Sequence, residues 1–262
     1  MKSRTSRGRK AIIGAILIIL ATGGISWAGP KKTADGWTFQ ISPYFWMSGI
    51  KGDVGAFERV PPSSIDVSFG DIFSHIDWPA AVMVAGEARH GRFGILGDVI
   101  YVELKAGAST PGPLFGSGTL KVKDFTSTIE GAYRFVDSPS VKLDGLAGVR
   151  IFSIDNELSL SSGILAARSG SMGDTWADPV VGLRAIVPFG GSGFFANAYG
   201  DVGGFGISGD LTWQLYGGLG YNFNNWLAGY AGYRYLDIHR EDGGFVFDVA
   251  QQGPLLGALF RF

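Results

Sequence analysis

Residues Asp210–Phe223 read DLTWQLYGGLGYNF. Asp210, Thr212, Gln214, Tyr216, Gly218, Gly220 and Asn222 fall on one side of an extended chain. Leu211, Trp213, Leu215, Gly217, Leu219, Tyr221 and Phe223 fall on the other. Strand side chains alternate between faces, so this stretch predicts a strand with one polar and one apolar face. It is more than twice the usual strand length of about 5–6 residues. The same period recurs in Trp37–Met47, Ala80–His90, Phe93–Leu104, Gly118–Val136, Val141–Asp155, Trp176–Pro188, Phe194–Gly203, Leu227–Asp237 and Phe247–Phe262. About ten strands follow; eight or twelve would also fit the pattern.

The connections alternate too. Residues 90–93, 137–140, 189–192 and 222–226 are tight turns rich in Gly, Pro, Asn and Ser. On the other side lie the longer Ser48–Pro79, Lys105–Ser117, Asn156–Thr175 and Ile238–Val246, with only 204–209 short. Short turns at one rim and long loops at the other describe an all-β, antiparallel, up-and-down transmembrane barrel, turns periplasmic and loops extracellular. Charges decide which face points inward. The polar face carries Glu87, Asp98, Glu130, Asp144, Asp178, Asp201 and Asp210 with Arg89, Arg134, Arg150, Arg184, Arg234 and Arg261. The other face holds Phe39, Ile41, Phe45, Ile129, Tyr133, Leu211, Trp213, Leu215, Tyr233 and Phe260, too bulky together for a ten-stranded lumen. The apolar face is therefore expected against lipid. Two aromatic girdles are expected as well, Trp37, Phe93, Phe135, Phe194, Phe223 and Trp226 at the periplasmic rim, and Met47, Trp78, Tyr101, Trp176, Trp213 and Tyr235 at the outer one.

The N-terminus fits this compartment. Lys2, Arg4, Arg7, Arg9 and Lys10 precede the apolar run Ala11–Leu20, which is too short to span a ~30 Å hydrocarbon core. Ser26-Trp27-Ala28 supplies a small-x-Ala exit, so 1–28 reads as a cleaved signal peptide, 29–36 as a short periplasmic segment and 37–262 as the barrel. Removing the five basic residues leaves 17 Lys and Arg against 23 acids, a mildly acidic chain and no footprint for nucleic acid. With 42 glycines, 13% aromatic residues and no cysteine, the composition excludes disordered, disulfide-framed and thiolate-metal classes.

The chain ends Leu255-Leu-Gly-Ala-Leu-Phe-Arg-Phe262. This resembles the C-terminal signal of bacterial outer-membrane proteins, with Gly257, Phe260 and Phe262 in the expected places. The resemblance implies recognition by the barrel-assembly machinery. Ser42-Pro-Tyr-Phe-Trp46, Asp66-Val-Ser-Phe-Gly-Asp71, Gly209-Asp-Leu-Thr-Trp-Gln214 and Gly232-Tyr-Arg-Tyr-Leu-Asp237 resemble a family of proteobacterial outer-membrane barrels, more distantly similar to the OmpA-type transmembrane barrel. That family brings no activity to carry over. Its implied location is the bacterial outer membrane, with lipid and lipopolysaccharide as surroundings; oligomeric state is left open.

Seven acids and six arginines facing inward nearly cancel. An ion-selective passage shows an excess of one sign, whereas balanced charge predicts Arg–carboxylate pairs. Glu87/Arg89, Glu130/Arg134 and Asp178/Arg184 share strands and are candidate partners. In the longest loop Asp71 is expected to cap a short helix, Ile72–Asp77, whose Ile72, Phe73 and Ile76 form an apolar side. Burying that side in the barrel mouth would make a lid; the alternative is a helix lying on the membrane surface. Catalytic signals are weak. His75 lies with Asp71 and Asp77, His90 in a turn, and His239 near Asp237, Arg240, Glu241 and Asp242, but G-x-S-x-G, H-E-x-x-H, Walker and EF-hand patterns are absent. No catalytic, metal or cofactor residues are assigned. The expected function is a small outer-membrane barrel, structural or passing small solutes through a narrow, lid-gated lumen. The alternatives are a barrel that binds partners through its outer loops and, third, a membrane-embedded hydrolase.

Overall fold

The computed structural model describes residues 36–55, 63–74, 76–108, 115–207, 209–242 and 245–262. The signal-peptide expectation for 1–28, most of the 29–36 segment and His75 lie outside them. Twelve strands and one helix follow in chain order: β1 (Trp37–Trp46), β2 (Gly49–Gly55), β3 (Ser63–Val67), α1 (Phe69–Ser74), β4 (Ile76–His90), β5 (Phe93–Ala108), β6 (Phe115–Asp137), β7 (Lys142–Ser162), β8 (Arg168–Pro188), β9 (Phe194–Gly203), β10 (Leu211–Asn222), β11 (Leu227–Asp242) and β12 (Phe245–Arg261).

All pairings are antiparallel. From β1 the sheet runs through β4 to β12, and β12 pairs back onto β1 with Gln40 opposite Arg261 and Tyr44 opposite Gly257. Ten strands thus close on themselves, the number of alternating segments counted in the sequence. At the seam Phe262 N–H donates to Phe39 O at 2.9 Å. β2 continues β1 along the same edge of β12, and β3 folds back on β2 as a hairpin beyond the closed ring. Closure leaves no open edge, the condition for backbone in lipid. No helix among the described residues is long and apolar enough to cross a membrane; the strands cross instead.

The outer surface has three zones. Phe93 and Phe194 are 68% and 52% exposed at the turn end, where Phe93 meets Tyr133 and Phe194 meets Tyr221 with ring centroids 5.1 and 4.8 Å apart. A belt of Ile95, Ile129, Val149, Val181, Leu183, Leu215 and Leu219 follows, all exposed. Higher still the outward positions become charged, with Glu103, Lys123 and Asp155 side by side on β5, β6 and β7. Bulky apolar side chains exposed around the whole ring are stable only against lipid. The barrel is a transmembrane one.

Three expectations need correction here. Residues 105–108, 115–117, most of 156–175, and 238–242 with 245–246 are strand, because β5 to β8, β11 and β12 continue past the apolar belt. Above the membrane both faces of a strand meet water, so hydrophobic alternation fades while the ladder hydrogen bonds persist. The helix spans Phe69–Ser74 and its cap is Ser68, whose Oγ accepts from Asp71 N at 3.3 Å and donates to the Asp71 carboxylate. Ile76 belongs to β4, opposite Leu104. The side chains of Ile72, Phe73 and Ile76 lie outside the described residues; Phe69, which opens the helix, packs edge-on against outward-facing Phe45 at 5.9 Å. Trp176 is no girdle residue, since it faces inward and is 5% exposed. Trp213 and Tyr235 do stack on the outside, 4.8 Å apart.

Candidate functional site

The lumen is layered. The half towards the short turns holds most of the inward charges, and the outer half holds an apolar cluster with Asp124, Asp178 and Arg240 set among it. In the lower layer Asp144, 1% exposed, accepts from three guanidiniums: Arg134 Nε at 2.8 Å, Arg89 Nη2 at 3.0 Å and Arg184 Nη2 at 2.6 Å. Glu87 shares two of them, taking Arg89 Nε at 2.6 Å and Arg184 Nη1 at 2.8 Å, and also accepts Gln40 Nε2 at 3.0 Å. The planar guanidinium serves two carboxylates at once, which a lysine cannot do in the same geometry.

A second group lies across the lumen. Arg150 is fully buried and bidentate on Asp201, with Nη1 to Oδ1 at 3.0 Å, while its Nε donates to Thr128 at 3.0 Å. The Tyr199 hydroxyl sits between Glu130 Oε2 at 2.9 Å and Asp201 Oδ2 at 2.5 Å. Gln214 donates to Asp201 at 2.6 Å and accepts Arg234 Nε at 2.9 Å; Arg234 Nη1 reaches Asp98 at 2.8 Å, beside the Tyr44 hydroxyl. Arg261 lines the periplasmic mouth.

These contacts differ from the pairings expected along single strands. Glu87 and Arg89 do pair. Arg134 turns from Glu130 to Asp144, and Arg184 turns from Asp178 to Glu87 and Asp144. Arg134, Asp144 and Arg184 stand opposite one another on the adjacent strands β6, β7 and β8, so cross-strand register makes these pairs, whereas Arg184 reaches Glu87 on β4 across the lumen. Asp178 meets no arginine among the described residues. It accepts from Trp176 Nε1, the Gly209 N–H and Thr212 Oγ1, at 3.2, 2.7 and 3.1 Å, and so ties the β9–β10 turn to the wall. Asp210 is outside the network, exposed at the outer rim, where it accepts from Glu241 N at 3.1 Å.

Above the charges the lumen is filled from its own walls. Phe152, Leu236, Ile238 and Val249 are at most 1% exposed, and Trp46 and Trp176 join them. Phe152 stacks on Trp176 at 4.9 Å, Arg234 lies over the Trp46 ring at 4.9 Å, and Arg240 lies over Trp176 at 5.6 Å. Below this plug a cavity of about 830 Å³ opens towards the short turns, bounded at its mouth by Gly91, Asn222 and Phe262 and at its floor by Tyr44, Gln214 and Arg234. Four enclosed polar atoms have no hydrogen-bond partner among the described residues: Glu130 Oε1, Asn197 Oδ1, the Tyr216 hydroxyl and Arg234 Nη2. All four belong to side chains lining that cavity.

Gln214 lies inward as its parity predicts; Tyr199 and Asn197 follow from the same parity that places Asp201 inward, but their neutral side chains carry no charge signal. The assembly-signal residues fall at the seam. Phe260 stacks on Trp226 at 6.3 Å, Phe262 is half exposed, and Gly257 lies under the Tyr230 ring. His90 packs beside Trp37 at 5.3 Å. His239 faces outward, with Nδ1 3.4 Å from Asp248 and Nε2 4.0 Å from Asp210. Among the described residues no three His, Asp or Glu side chains are placed to hold a metal ion.

A closed antiparallel barrel with an apolar belt, aromatic rims and charges turned inward has the fold of an outer-membrane β-barrel. Comparison with solved structures agrees. The outer membrane protease OmpT of Escherichia coli superposes with a TM-score of 0.55 at 8% identity, covering 87% of this chain and 98% of that one. The translocator domain of the autotransporter NalP from Neisseria meningitidis gives 0.43 at 13%, covering 88% and 91%. Ail, the attachment invasion locus protein of Yersinia pestis, gives 0.37 at 15%, covering 86% and 98%. No family model matches the chain, and no curated protein matches it. The likeness to OmpT is one of fold alone.

Proposed function

We propose that this chain is a non-conducting outer-membrane scaffold that acts through the wall of β-ribbon it raises outside the membrane. The observation that carries the reading is the plug: at the level of Phe152, Leu236 and Val249 the lumen is packed with side chains that are at most 1% exposed. Permeation would require aliphatic and aromatic groups from several strands to move together. A filled interior suits a barrel near eight to ten strands, whereas open porins need 16–18.

The rim supplies the second support. At about 3.3 Å per residue and a tilt near 40°, the 21 residues of β7 rise about 50 Å, roughly twice the apolar band of such barrels. The 10 residues of β9 rise about half as far. One side therefore ends near the membrane surface, and the β6–β8 side stands well above it. The outward face of that tall wall carries opposite charges in register, Lys123 beside Asp155 and Lys121 beside Glu157. Such a ribbon offers ladder-stiffened polar surface to an extracellular partner or to the surrounding lipopolysaccharide. Purified protein in a planar bilayer tests the sealed lumen. Absence of current steps across a range of voltages is expected, and reproducible steps of uniform size would overturn the reading.

A further inference from the structure

The cavity beneath the plug is constructed differently on its two sides. The β4–β8 side presents carboxylates and guanidiniums that, Glu130 Oε1 apart, are already matched to one another. The β9–β12 side is built of inward glycines with aromatic rings laid over them. A methyl group at Gly220 would overlap the Phe195 ring, one at Gly218 the Tyr216 hydroxyl, and one at Gly257 the Tyr230 ring. At Gly232 it would stand 2.6 Å from Tyr216 Cε2. Glycine at these inward positions therefore leaves room for the Phe195, Tyr216 and Tyr230 rings to pack against the wall of the cavity.

The orphaned polar atoms belong to side chains in the walls of this same cavity. Two are acceptors, Glu130 Oε1 and Asn197 Oδ1; one is a donor, Arg234 Nη2; the Tyr216 hydroxyl is either. Glu130 and Arg234 are 3% and 5% exposed, so these atoms cannot turn to bulk water without rearrangement. Enclosed polar groups without partners are costly, and binding sites are where such groups gather. We propose that the cavity is a binding site, open to the periplasm, for a small uncharged polyhydroxylated ligand of mono- to disaccharide size.

The chemistry selects this class. A hydroxyl both donates and accepts, so a ring of hydroxyls meets a mixed set of donors and acceptors without bringing net charge. An anion at Arg234 Nη2 would approach Asp98, which already occupies Nη1 at 2.8 Å. A cation at Glu130 would face Arg150 and Arg184 across the same floor. Flat aromatic faces suit the C–H faces of a sugar ring. At about 830 Å³ the cavity is within the range of small-ligand sites.

The test is saturation-transfer NMR on the folded barrel in an amine-oxide detergent, which carries no sugar headgroup. The probes are maltose, trehalose, sucrose and lactose, with inorganic phosphate and glutamate as charged comparisons. Saturable signals from at least one disaccharide, and none from phosphate or glutamate, are expected. Tyr216→Phe keeps the ring and removes one orphaned hydroxyl; Asn197→Ala removes another partner. Each should weaken binding roughly two- to tenfold, the scale of one hydrogen bond. Both variants should retain the heat-modifiable gel migration of the folded barrel. No saturable signal from any of the four sugars would overturn the proposal and leave ordered water as the partner of these atoms. Saturable binding of phosphate or glutamate alone would overturn the ligand class, and sugar binding unchanged in both variants would overturn the site.

Discussion

Replacing Asp144 with asparagine removes one negative charge and almost no volume. Arg89, Arg134 and Arg184 converge on this carboxylate and Glu87 is the second anion among them, so three cations face two anions in the native cluster and one in the variant. Asp144 is 1% exposed, and the three guanidiniums are between 7% and 11% exposed at the side chain. Breaking a buried ion pair costs about 3–5 kcal/mol, and the adjacent cavity admits screening, which places Asp144→Asn near the lower end at about 3 kcal/mol. The comparison is Asp66→Asn, whose partner Lys51 is 68% exposed and whose loss should cost less than about 1 kcal/mol. Reversible urea unfolding in lipid vesicles, followed by tryptophan fluorescence, measures both. Adding Arg184→Met to Asp144→Asn returns the cluster to two cations and one anion and should recover part of the loss. Equal, small effects for Asp144→Asn and Asp66→Asn would refute a buried cluster and mean that water or small ions neutralise it.

Leu215 is 56% exposed on the outer face, so Leu215→Arg should destabilise by about 2–4 kcal/mol in vesicles; a neutral effect would mean that this face does not meet hydrocarbon. Phe152→Ala cuts into the plug where Phe152 stacks on Trp176, and should cost about 3–5 kcal/mol by the same unfolding assay. A loss below 1 kcal/mol would contradict a tightly packed outer lumen. Asp178→Ala leaves the Gly209 N–H without its carboxylate and should speed proteolysis within 204–210, while the barrel keeps its heat-modifiable migration. Unchanged cleavage would show that Asp178 does not hold that turn.

Alternation made the closed barrel legible because lipid outside and polar groups inside impose opposite demands on successive residues. Asp210–Phe223 shows this best, with Leu215 outward and Gln214 inward. The plug was hidden for the same reason. In Leu146–Ile154 the inward Phe152 and Ile154 neighbour the outward Val149 and Ile151, so apolar residues occupy both faces and parity carries no contrast. The inward types of most charged residues were readable, but not their partners. Arg184 meets Glu87, 97 positions away, because strand tilt and barrel closure set that approach. Gly218 and Gly232 offer no side chain to read, and the space above them is taken by the Tyr216 ring. The upper strands were lost to view once both their faces entered water.

The central claim is a lumen open to the periplasm and sealed towards the outside. The chain has no cysteine, so single substitutions can be labelled cleanly. Asn197 lines the cavity below the plug, and Ser161 is exposed at the tip of the tall ribbon. Asn197→Cys and Ser161→Cys are treated in intact cells with a maleimide too bulky for the general porins, and again after the outer membrane is opened. The account predicts that Ser161→Cys reacts in intact cells, whereas Asn197→Cys reacts only after opening. Labelling of Asn197→Cys in intact cells as fast as Ser161→Cys would contradict it.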